Sequence, residues 1–417
     1  MRNISKGKDL CRLFPIYAIE NNCIINRMGE VTAGFRVTLP EAFTLSADGY
    51  SAIHGAWVKA LRVLPDYTVI HRQDIYTRER YESREGVSYL SSCYEKHFGG
   101  RSRMQSIDSI LMTGNLVPPS LTSCDRFLDA VGQAEKIIND SGFIRLDRYT
   151  ADDLTGTKDK AGLYESYMNL SGNDRKKPLE DIVFDGGGMR IGDKRMCMHT
   201  LSFAGDLPEE AGTDMRYEKY STENSDCLLS FASPLGLLLE TDHTYNQYLF
   251  IENRDDTVRA LESLSGKMYS LQQLSSNNLV NREFIDHYIE TVRLNNLTPV
   301  RCHFNVMAWA ETDEELRRVR NLVGSAMTQT GCLVRHNTVD CPVLFWSSIP
   351  GNGGDFPREE TFLSFLETGV CFFTGETNYL DSPSDAGLKF SDRISGKPVL
   401  VDMRRRHPSP ICNHTDM

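Results

Sequence analysis

The apolar and polar positions near the N-terminus predict a small antiparallel sheet over residues 17 to 39. One stretch alternates apolar and polar side chains with a period of two, which gives a strand one buried and one wet face; its apolar members are Val31, Ala33, Phe35 and Val37. The period then changes to steps of three and four, which indicates a helix that Pro65 ends; this stripe consists of Tyr50, Ile53, Trp57, Leu61 and Leu64. Residues 67 to 76 return to a β-rich composition. The sequence therefore predicts a strand, helix, strand unit with Trp57 in its core.

A second unit of the same order is predicted downstream. Residues 301 to 310 alternate as a strand, and Thr312 followed by Glu315 forms a capping-box pattern at the start of a helix. Gly331 ends that helix, and residues 332 to 339 are expected to form the following strand. Residues 244 to 252 are predicted to form a strand before this unit, and residues 255 to 294 one or two long helices.

The whole chain is predicted to be α+β, with mixed or antiparallel sheets covered by helices and two ferredoxin-like units. Residues 125 to 139 are expected to be helical, whereas residues 150 to 180 and 205 to 226 are polar and are expected to be long surface connections. The predicted segments are an N-terminal unit over 1–90, a mixed middle region over 91–230, a second α+β unit over 231–350, and a Gly/Pro-rich segment over 351–417.

Charge and composition narrow the possible functions. The chain has 46 basic and 57 acidic residues, and 46 − 57 gives a net charge of −11. Such an acidic chain is a poor candidate for general binding to a phosphate backbone, so no sequence-specific nucleic-acid binding is predicted. The 11 cysteines form no CxxC pair, which is typical of free thiols in a reducing compartment. We expect a cytoplasmic protein whose contact with a membrane is peripheral.

The sequence contains no nucleotide-binding loop of the GxxxxGK(S/T) type. The Gly-Lys pairs at Gly266 and at Gly396 lack both the hydroxyl residue after the lysine and the first glycine of the motif. Two glycine-rich stretches remain as candidates for holding an anion, Gly186 to Gly188 and Gly351 to Gly354. A hairpin turn explains the first, and an ordinary loop explains the second, at least as well.

Candidate metal ligands and acid–base pairs are weak in this chain. The possible ligands lack the tight paired spacing of zinc sites; they are Cys302, His303, Cys332, His336 and Cys341. Neighbouring strand residues such as Cys302 and His303 face opposite sides of a sheet. No catalytic, cofactor-binding or metal-binding residue is therefore predicted, and no cofactor is expected for this chain.

Several segments together resemble the TraG-type conjugation ATPases of conjugative transposons, a family of type IV secretion motors that includes TrbE and CagE. The resemblance starts with Leu13 to Pro40, continues past Trp57 and His97-Phe98 to Met104, and returns at Phe345-Trp346 and Pro350 to Asn352. It ends with Phe390 to Arg393 and Gly396 to Asp402. Each motif is modest, but their order over 400 residues makes the resemblance fairly specific.

The resemblance implies an N-terminal region that docks on the secretion channel, followed by a RecA-like ATPase domain. Family members assemble as oligomers at the cytoplasmic face of the inner membrane and energise DNA transfer, with ATP and magnesium as cofactors. Here the segment that would lead to the Walker A loop continues as Met403 to Pro410 and the sequence stops at Met417. We therefore expect the docking and assembly part of such a motor, truncated before the ATPase site by a natural end or a frameshift, and without ATP hydrolysis of its own. A family strand is also expected to be missing between Phe98 and Met104, which would disturb the first sheet.

Two alternatives stay open at this point. In the first alternative, the chain is an independent enzyme that holds a phosphorylated ligand in a glycine-rich loop. In the second, it is a non-functional remnant. The sequence leaves open which channel component is the partner, whether the chain forms homo-oligomers, and what the two glycine-rich loops do.

Overall fold

A computed structural model describes most of the chain as one large antiparallel sheet with helices on its faces. The residues described are 13–83, 85, 88–116, 121–158, 160–168, 181–185, 188–271, 275–382 and 387–402. Every strand pairing within the large sheet is antiparallel. The α+β prediction is confirmed.

The first half of the sheet is a ferredoxin-like unit preceded by a hairpin. In chain order its elements are β1 (Ile16–Glu20), β2 (Cys23–Asn26), β3 (Val31–Thr38), α1 (Ala47–Leu61), β4 (Thr68–Arg80), α2 (Tyr89–Phe98), β5 (Ser102–Asn115), α3 (Leu121–Asp140) and β6 (Arg145–Arg148). The four main strands lie in the order β6-β3-β5-β4. The helix α1 therefore crosses between β3 and β4, and β5 lies between these two strands. The hairpin of β1 and β2 extends the sheet beyond the start of β3.

The short helices α4 (Ala151–Thr155) and α5 (Leu163–Met168) lead to a second unit that repeats this plan. Its elements are β7 (Ile182–Asp185), β8 (Gly188–Ile191), β9 (Lys194–Leu201), β10 (Asp214–Arg216), β11 (Leu228–Ser230), β12 (His243–Ile251), α6 (Arg254–Ser270), α7 (Ser276–Asn295), β13 (Pro299–Ala310), α8 (Asp313–Gln329) and β14 (His336–Asn337). The main strands lie in the order β14-β9-β13-β12, which matches the order in the first unit. An irregular connection that includes the hairpin β10–β11 replaces the first crossover helix, and the helical pair α6–α7 joins β12 to β13.

The remaining elements pack against both units. They are α9 (Cys341–Ser347), β15 (Phe362–Phe365), α10 (Leu366–Val370), β16 (Leu388–Ser391) and β17 (Pro398–Val401). The strand β15 adds to β13, whereas β16 and β17 form a separate hairpin.

The two units join through β4 and β12, the second main strand of each. These strands run antiparallel with Gln73 opposite Asn246 and Arg72 opposite Gln247. Because each unit contributes the same strand and keeps its helices on the same face, an approximate two-fold axis passes through this joint, perpendicular to the sheet. Strands from the predicted segments 1–90, 91–230 and 231–350 all lie in this one sheet.

The central strands of the sheet, β12 and β13, are buried on both faces. The helices α1, α3, α8 and α10 cover one face, where Trp57 is 1% exposed and meets Phe373 edge-on at 5.4 Å between ring centroids. Helices α5 and α9 cover the other face, together with the loop that follows α9. The prediction that Trp57 belongs to the core is confirmed.

Some sequence-based boundaries change in the structure. The helix α1 ends at Leu61, before Pro65. At α8 the Thr312 hydroxyl accepts the amide of Glu315 at 3.2 Å, as the capping pattern predicts. However, the Glu315 carboxylate contacts the Glu311 amide and the Arg78 guanidinium instead of the Thr312 amide. Only one half of the predicted capping box therefore forms.

Three predictions for connecting segments are wrong within the described residues. The strand expected over 332–339 is limited to β14, because the preceding chain bonds to an adjacent turn, with Leu333 donating to the Asp206 carbonyl at 2.8 Å. Residues 151–168 are not a surface connection, since Leu154, Tyr167 and Met168 are buried under the sheet; residues 169–180 lie outside the described part. The disturbance of the first sheet expected between Phe98 and Met104 is not found, because β5 begins at Ser102 and pairs there with Arg80 of β4.

Candidate functional site

The five candidate metal ligands do not converge. Cys302 and His303 face opposite sides of β13, as predicted: the Cys302 side chain packs among the core residues under α10, whereas the His303 ring contacts Phe356 at 4.7 Å. His336 lies beside His199, with 5.2 Å between ring centroids. Among the described residues, no group of three or more His, Cys, Asp or Glu side chains has the arrangement of a metal site.

The Gly-Lys pairs at Gly266 and at Gly396 have structural surroundings unlike a phosphate-binding loop. Gly266 and Lys267 lie inside the helix α6. Gly396, at φ +70°, is part of the tight turn between β16 and β17. The Lys397 ammonium points inward and donates to the Tyr379 carbonyl at 2.6 Å, and burial lowers the pKa of Lys397. This lysine secures a turn in the fold.

The first glycine-rich candidate joins the strands of a hairpin. Asp185 at the end of β7 pairs with Gly188 at the start of β8, which is the geometry of a tight hairpin turn. Gly186 and Gly187 lie outside the described residues. At Gly188, φ is +142° and an added Cβ would lie 3.0 Å from the Met196 carbonyl oxygen, so the close approach of β9 favours glycine at this position.

The second glycine-rich candidate packs tightly on the sheet. Gly351 has φ +90°, and an added Cβ would lie 2.7 Å from a methyl group of Ile24. A Cβ at Gly353 would lie 3.0 Å from Val69. Both glycines are buried, so they serve the close approach of this loop to β2 and β4. The surroundings of Gly351 and Gly353 are those of a packed loop rather than an open anion site.

The hairpin of β16 and β17, here called the C-terminal hairpin, is fastened to the first unit. The Met104 amide donates to the Ser395 carbonyl at 3.1 Å, and the Tyr94 hydroxyl donates to the Phe390 carbonyl at 3.0 Å. The Lys389 ammonium forms an ion pair with Glu95, whose side chain is 4% exposed. These contacts join the C-terminal hairpin to α2 and β5.

A buried polar network, here called the polar seam, lies where the two units join. The Asp74 carboxylate accepts hydrogen bonds from the Ser109 hydroxyl at 2.6 Å, the Thr374 hydroxyl at 2.7 Å and the Gln247 amide at 2.8 Å. The Arg72 guanidinium lies 3.3 Å from the same carboxylate, and both side chains are 0% exposed. The polar seam thereby connects the first unit, the second unit and the segment that follows α10.

The Arg72 guanidinium combines this ion pair with aromatic contacts. It lies 5.6 Å from the centroid of the Trp57 ring and 5.2 Å from that of Phe373. Two of its nitrogens, Nε and Nη1, are buried with no hydrogen-bond partner. Attraction between the cation and the ring faces compensates part of the lost hydration.

The opposite face of the same joint carries a buried histidine. The His71 Nε2 and the Gln73 amide both contact the Asn246 side-chain oxygen, at 3.0 and 2.7 Å. The His71 ring stacks on Tyr248 at 4.1 Å, and its Nδ1 has no partner. Burial lowers the pKa of His71 to about 4, so the imidazole is neutral near pH 7 and donates through Nε2.

A second buried carboxylate holds the segment after α10. Glu376 is 1% exposed, and it accepts from the Ser230 amide and hydroxyl, each at 2.9 Å, and from the Tyr50 hydroxyl at 3.2 Å. The Ser233 hydroxyl also bonds to it. Burial raises the pKa of Glu376. This carboxylate links α1 to the connection before β12.

These groups are arranged for assembly of the fold rather than for chemistry on a substrate. Asp74 and Glu376 are both buried, and protein donors occupy their oxygens. A cavity lined by Tyr50, Ser230 and Thr374, three of the residues that bond to these carboxylates, has a volume of about 20 Å³. That volume accommodates a water molecule, whereas ligand pockets are typically about 300–1,000 Å³.

Sequence reasoning missed the polar seam. The available signal was the run Arg72-Gln73-Asp74 inside a strand flanked by apolar residues, which an ordinary edge strand with a solvated face also explains.

Comparison with known proteins covers only the start of the chain. A family profile described as a domain of unknown function with a B. Theta gene description, DUF3875, matches residues 3–55. Within the described residues this match includes β1, β2, β3 and the first part of α1. No curated protein matches the chain. Among the described helices, none has the length and apolar character needed to cross a bilayer.

Proposed function

We propose that this chain is the docking and assembly region of a TraG-type conjugation motor, held at the cytoplasmic face of the bacterial inner membrane by components of a type IV secretion channel. The observation that carries the proposal is that the segments resembling the family, although far apart in sequence, contact one another in the fold. Gly351 packs on Ile24, and the Met104 amide bonds to Ser395, which lies in the turn between the last two of these segments. The family match at residues 3–55 overlaps the first of these segments.

The arrangement suits a part that holds a motor in place. The C-terminal hairpin, which in the family plan leads toward the ATPase domain, is fastened to the first unit through Lys389 and Glu95. The first unit is in turn continuous with the second through the sheet. A force applied at the C-terminal hairpin would therefore be transmitted to both units.

One consequence is testable with the purified chain. It should release no phosphate from ATP in the presence of magnesium above the buffer background, because the GxxxxGK(S/T) motif is absent from its 417 residues. Turnover that a single substitution abolishes would contradict the proposal and favour the enzyme alternative.

Docking is tested by photocrosslinking in donor cells that carry a complete conjugation apparatus. A crosslinking residue replaces Tyr17, which is 78% exposed on the edge strand β1 within the family-matched segment. The control position is Val339, which is 84% exposed in the second unit and outside that segment. Crosslinks to channel components from Tyr17 but not from Val339 are expected. Equal crosslinking from both positions, or none from either, would contradict docking through this edge.

The proposal also predicts interference with transfer. Overproduction of the chain in those donor cells should lower the frequency of conjugation, because it competes with the intact motor for its place on the channel. A folded chain that leaves the frequency unchanged at high abundance would refute the competition. A broad, non-cooperative thermal transition would instead support the alternative of a non-functional remnant.

A further inference from the structure

The helical pair α6–α7 projects from the sheet, and its distal half lacks a core. The buried apolar residues of the pair are Val258, Ile289 and Val292, all in the half that adjoins β12 and β13. In the described part of the distal half, Ser265 is the one buried residue. We call the described residues 264–271 and 275–284 the hairpin tip.

The hairpin tip exposes a group of large apolar side chains. Their exposed fractions range from 38% to 70%; they are Leu264, Tyr269, Leu271, Leu279, Val280 and Phe284. Val280 and Phe284 are four residues apart, so they share one face of α7. Leu264 lies in the last two turns of α6, and Leu271 is the residue that follows the end of this helix. Isolated exposed apolar residues are ordinary, but a group of them at the end of a projection indicates an interaction surface.

Charge separates along the same hairpin. Residues 263–282 contain no Asp or Glu, although acidic residues outnumber basic ones in the whole chain. Lys267 and Arg282 supply positive charge there. The Arg282 guanidinium lies 4.8 Å from the centroid of the Tyr269 ring and pairs with Asp286 at 3.3 Å. Most acidic residues of the pair lie toward the sheet, among them Asp255 and Asp256 in the first turn of α6.

We propose that the hairpin tip binds an anionic lipid bilayer at its headgroup region. Apolar and aromatic side chains beside basic residues that outnumber acids are the combination that partitions into such an interface. The described residues of the hairpin tip include Lys267 and Arg282 but one acid, Glu283. The absence of Asp and Glu from residues 263–282 favours an anionic lipid surface, because its headgroups complement Lys267, whereas Arg282 is already paired with Asp286. The inference deepens the proposed function, since it rests on a location at the inner membrane and names the contact that holds the chain there.

The test uses the intact chain and vesicle flotation. Vesicles contain phosphatidylcholine alone or phosphatidylcholine with phosphatidylglycerol, and binding is expected to the anionic vesicles. Phe284→Ser should weaken this binding by about tenfold or more, the factor expected when one aromatic side chain no longer leaves water. The matched control is Leu294→Ser, on the same helix near the sheet, where Leu294 is 74% exposed; its binding should equal that of the unchanged chain.

A second pair of variants tests the charge. Lys267→Glu should weaken binding to anionic vesicles, whereas Lys136→Glu, an exposed lysine on α3, changes the net charge equally and should have a smaller effect. All four variants should keep the circular dichroism spectrum and thermal transition of the unchanged chain, because the replaced side chains are exposed.

Three results would overturn the inference. These are absence of binding to anionic vesicles, equal loss of binding in Phe284→Ser and Leu294→Ser, and a dimer in solution that Phe284→Ser dissociates, which would show that a second copy covers the tip. The crosslinking experiment at Tyr17 distinguishes failure of the lipid contact from failure of the proposed function. Channel crosslinks without vesicle binding refute only the lipid contact, whereas vesicle binding without channel crosslinks refutes docking through the β1 edge.

Discussion

Replacing Asp74 with asparagine is expected to destabilise the whole fold, because it removes the negative charge from the polar seam but keeps the size of the side chain. The Arg72 guanidinium would remain 0% exposed without its counter-charge. Breaking a buried ion pair from one side costs about 3–5 kcal/mol. Ser109, Gln247 and Thr374 all donate hydrogen bonds to the Asp74 carboxylate. The NH2 group of an asparagine cannot accept these bonds, so some of the three donors would lose their acceptor.

A loss of about 3–5 kcal/mol is large against the total stability of a domain, typically about 5–15 kcal/mol. The measurement is urea unfolding followed by tryptophan fluorescence and circular dichroism, with the midpoint and slope compared between variants. The matched control is Asp147→Asn. The Asp147 side chain on β6 is 44% exposed and pairs with Arg145 at 2.8 Å, and the loss of such a pair near the surface is expected to cost about 0–1 kcal/mol.

A double variant tests whether the uncompensated charge is the cause. Combining Asp74→Asn with Arg72→Met removes both charges, so the pair should lose less stability than the sum of the two single variants, by about 0.5–3 kcal/mol. Strict additivity, or a loss in Asp74→Asn no larger than that in Asp147→Asn, would refute the account of the polar seam.

Three further predictions concern backbone strain, pH and the core. Gly351→Ala should lower the free energy of unfolding by about 1–3 kcal/mol, because the new methyl group meets Ile24 at a residue with positive φ. Gly266→Ala inside α6 should raise it by about 0.5–1 kcal/mol, because the space at the Cβ position is open. Urea unfolding of both variants checks the contrast. Burial holds the pKa values of His71 and His303 at about 4, below their ordinary 6.5, so the stability they contribute is complete above pH 6.5 and is lost as pH falls toward 4. The slope of unfolding free energy against pH should therefore flatten in His71→Asn, and an unchanged slope would contradict this assignment. Trp57→Ala should cost about 3–5 kcal/mol and lower the melting temperature; an unchanged melt would contradict its place in the core.

The local parts of the fold were predictable from sequence because their signals are local. The stripe that includes Trp57 predicted α1, and the Thr312 cap marked the start of α8. These features depend on neighbours a few residues apart. The strand expected over 332–339 failed because partners outside the segment decide its pairing: Leu333 bonds to Asp206 instead of extending the sheet.

The joint between the units could not be predicted in the same way. Arg72 and Asp74 have the composition of a solvated strand face, and their burial depends on Gln247 and Thr374, more than 170 residues later in the chain. Glu376 is comparable, since its donors come from α1 and from the connection before β12. Polar groups with distant partners give no periodic signal, whereas a run of glycines is visible within a few residues of sequence.

The position of β4 also bears on synthesis of the chain. All strands of the first unit lie before residue 149, whereas β12 begins at His243, so the ribosome completes the first unit well before its partner strand emerges. During that interval β4 is an open edge that could pair with a neighbouring nascent chain. Charged side chains that point inward are a common defence against such pairing, and Arg72 and Asp74 supply them. Arg72 and Asp74 stabilise the complete sheet, and before β12 has been synthesised they would also reduce aggregation of the first unit through its β4 edge.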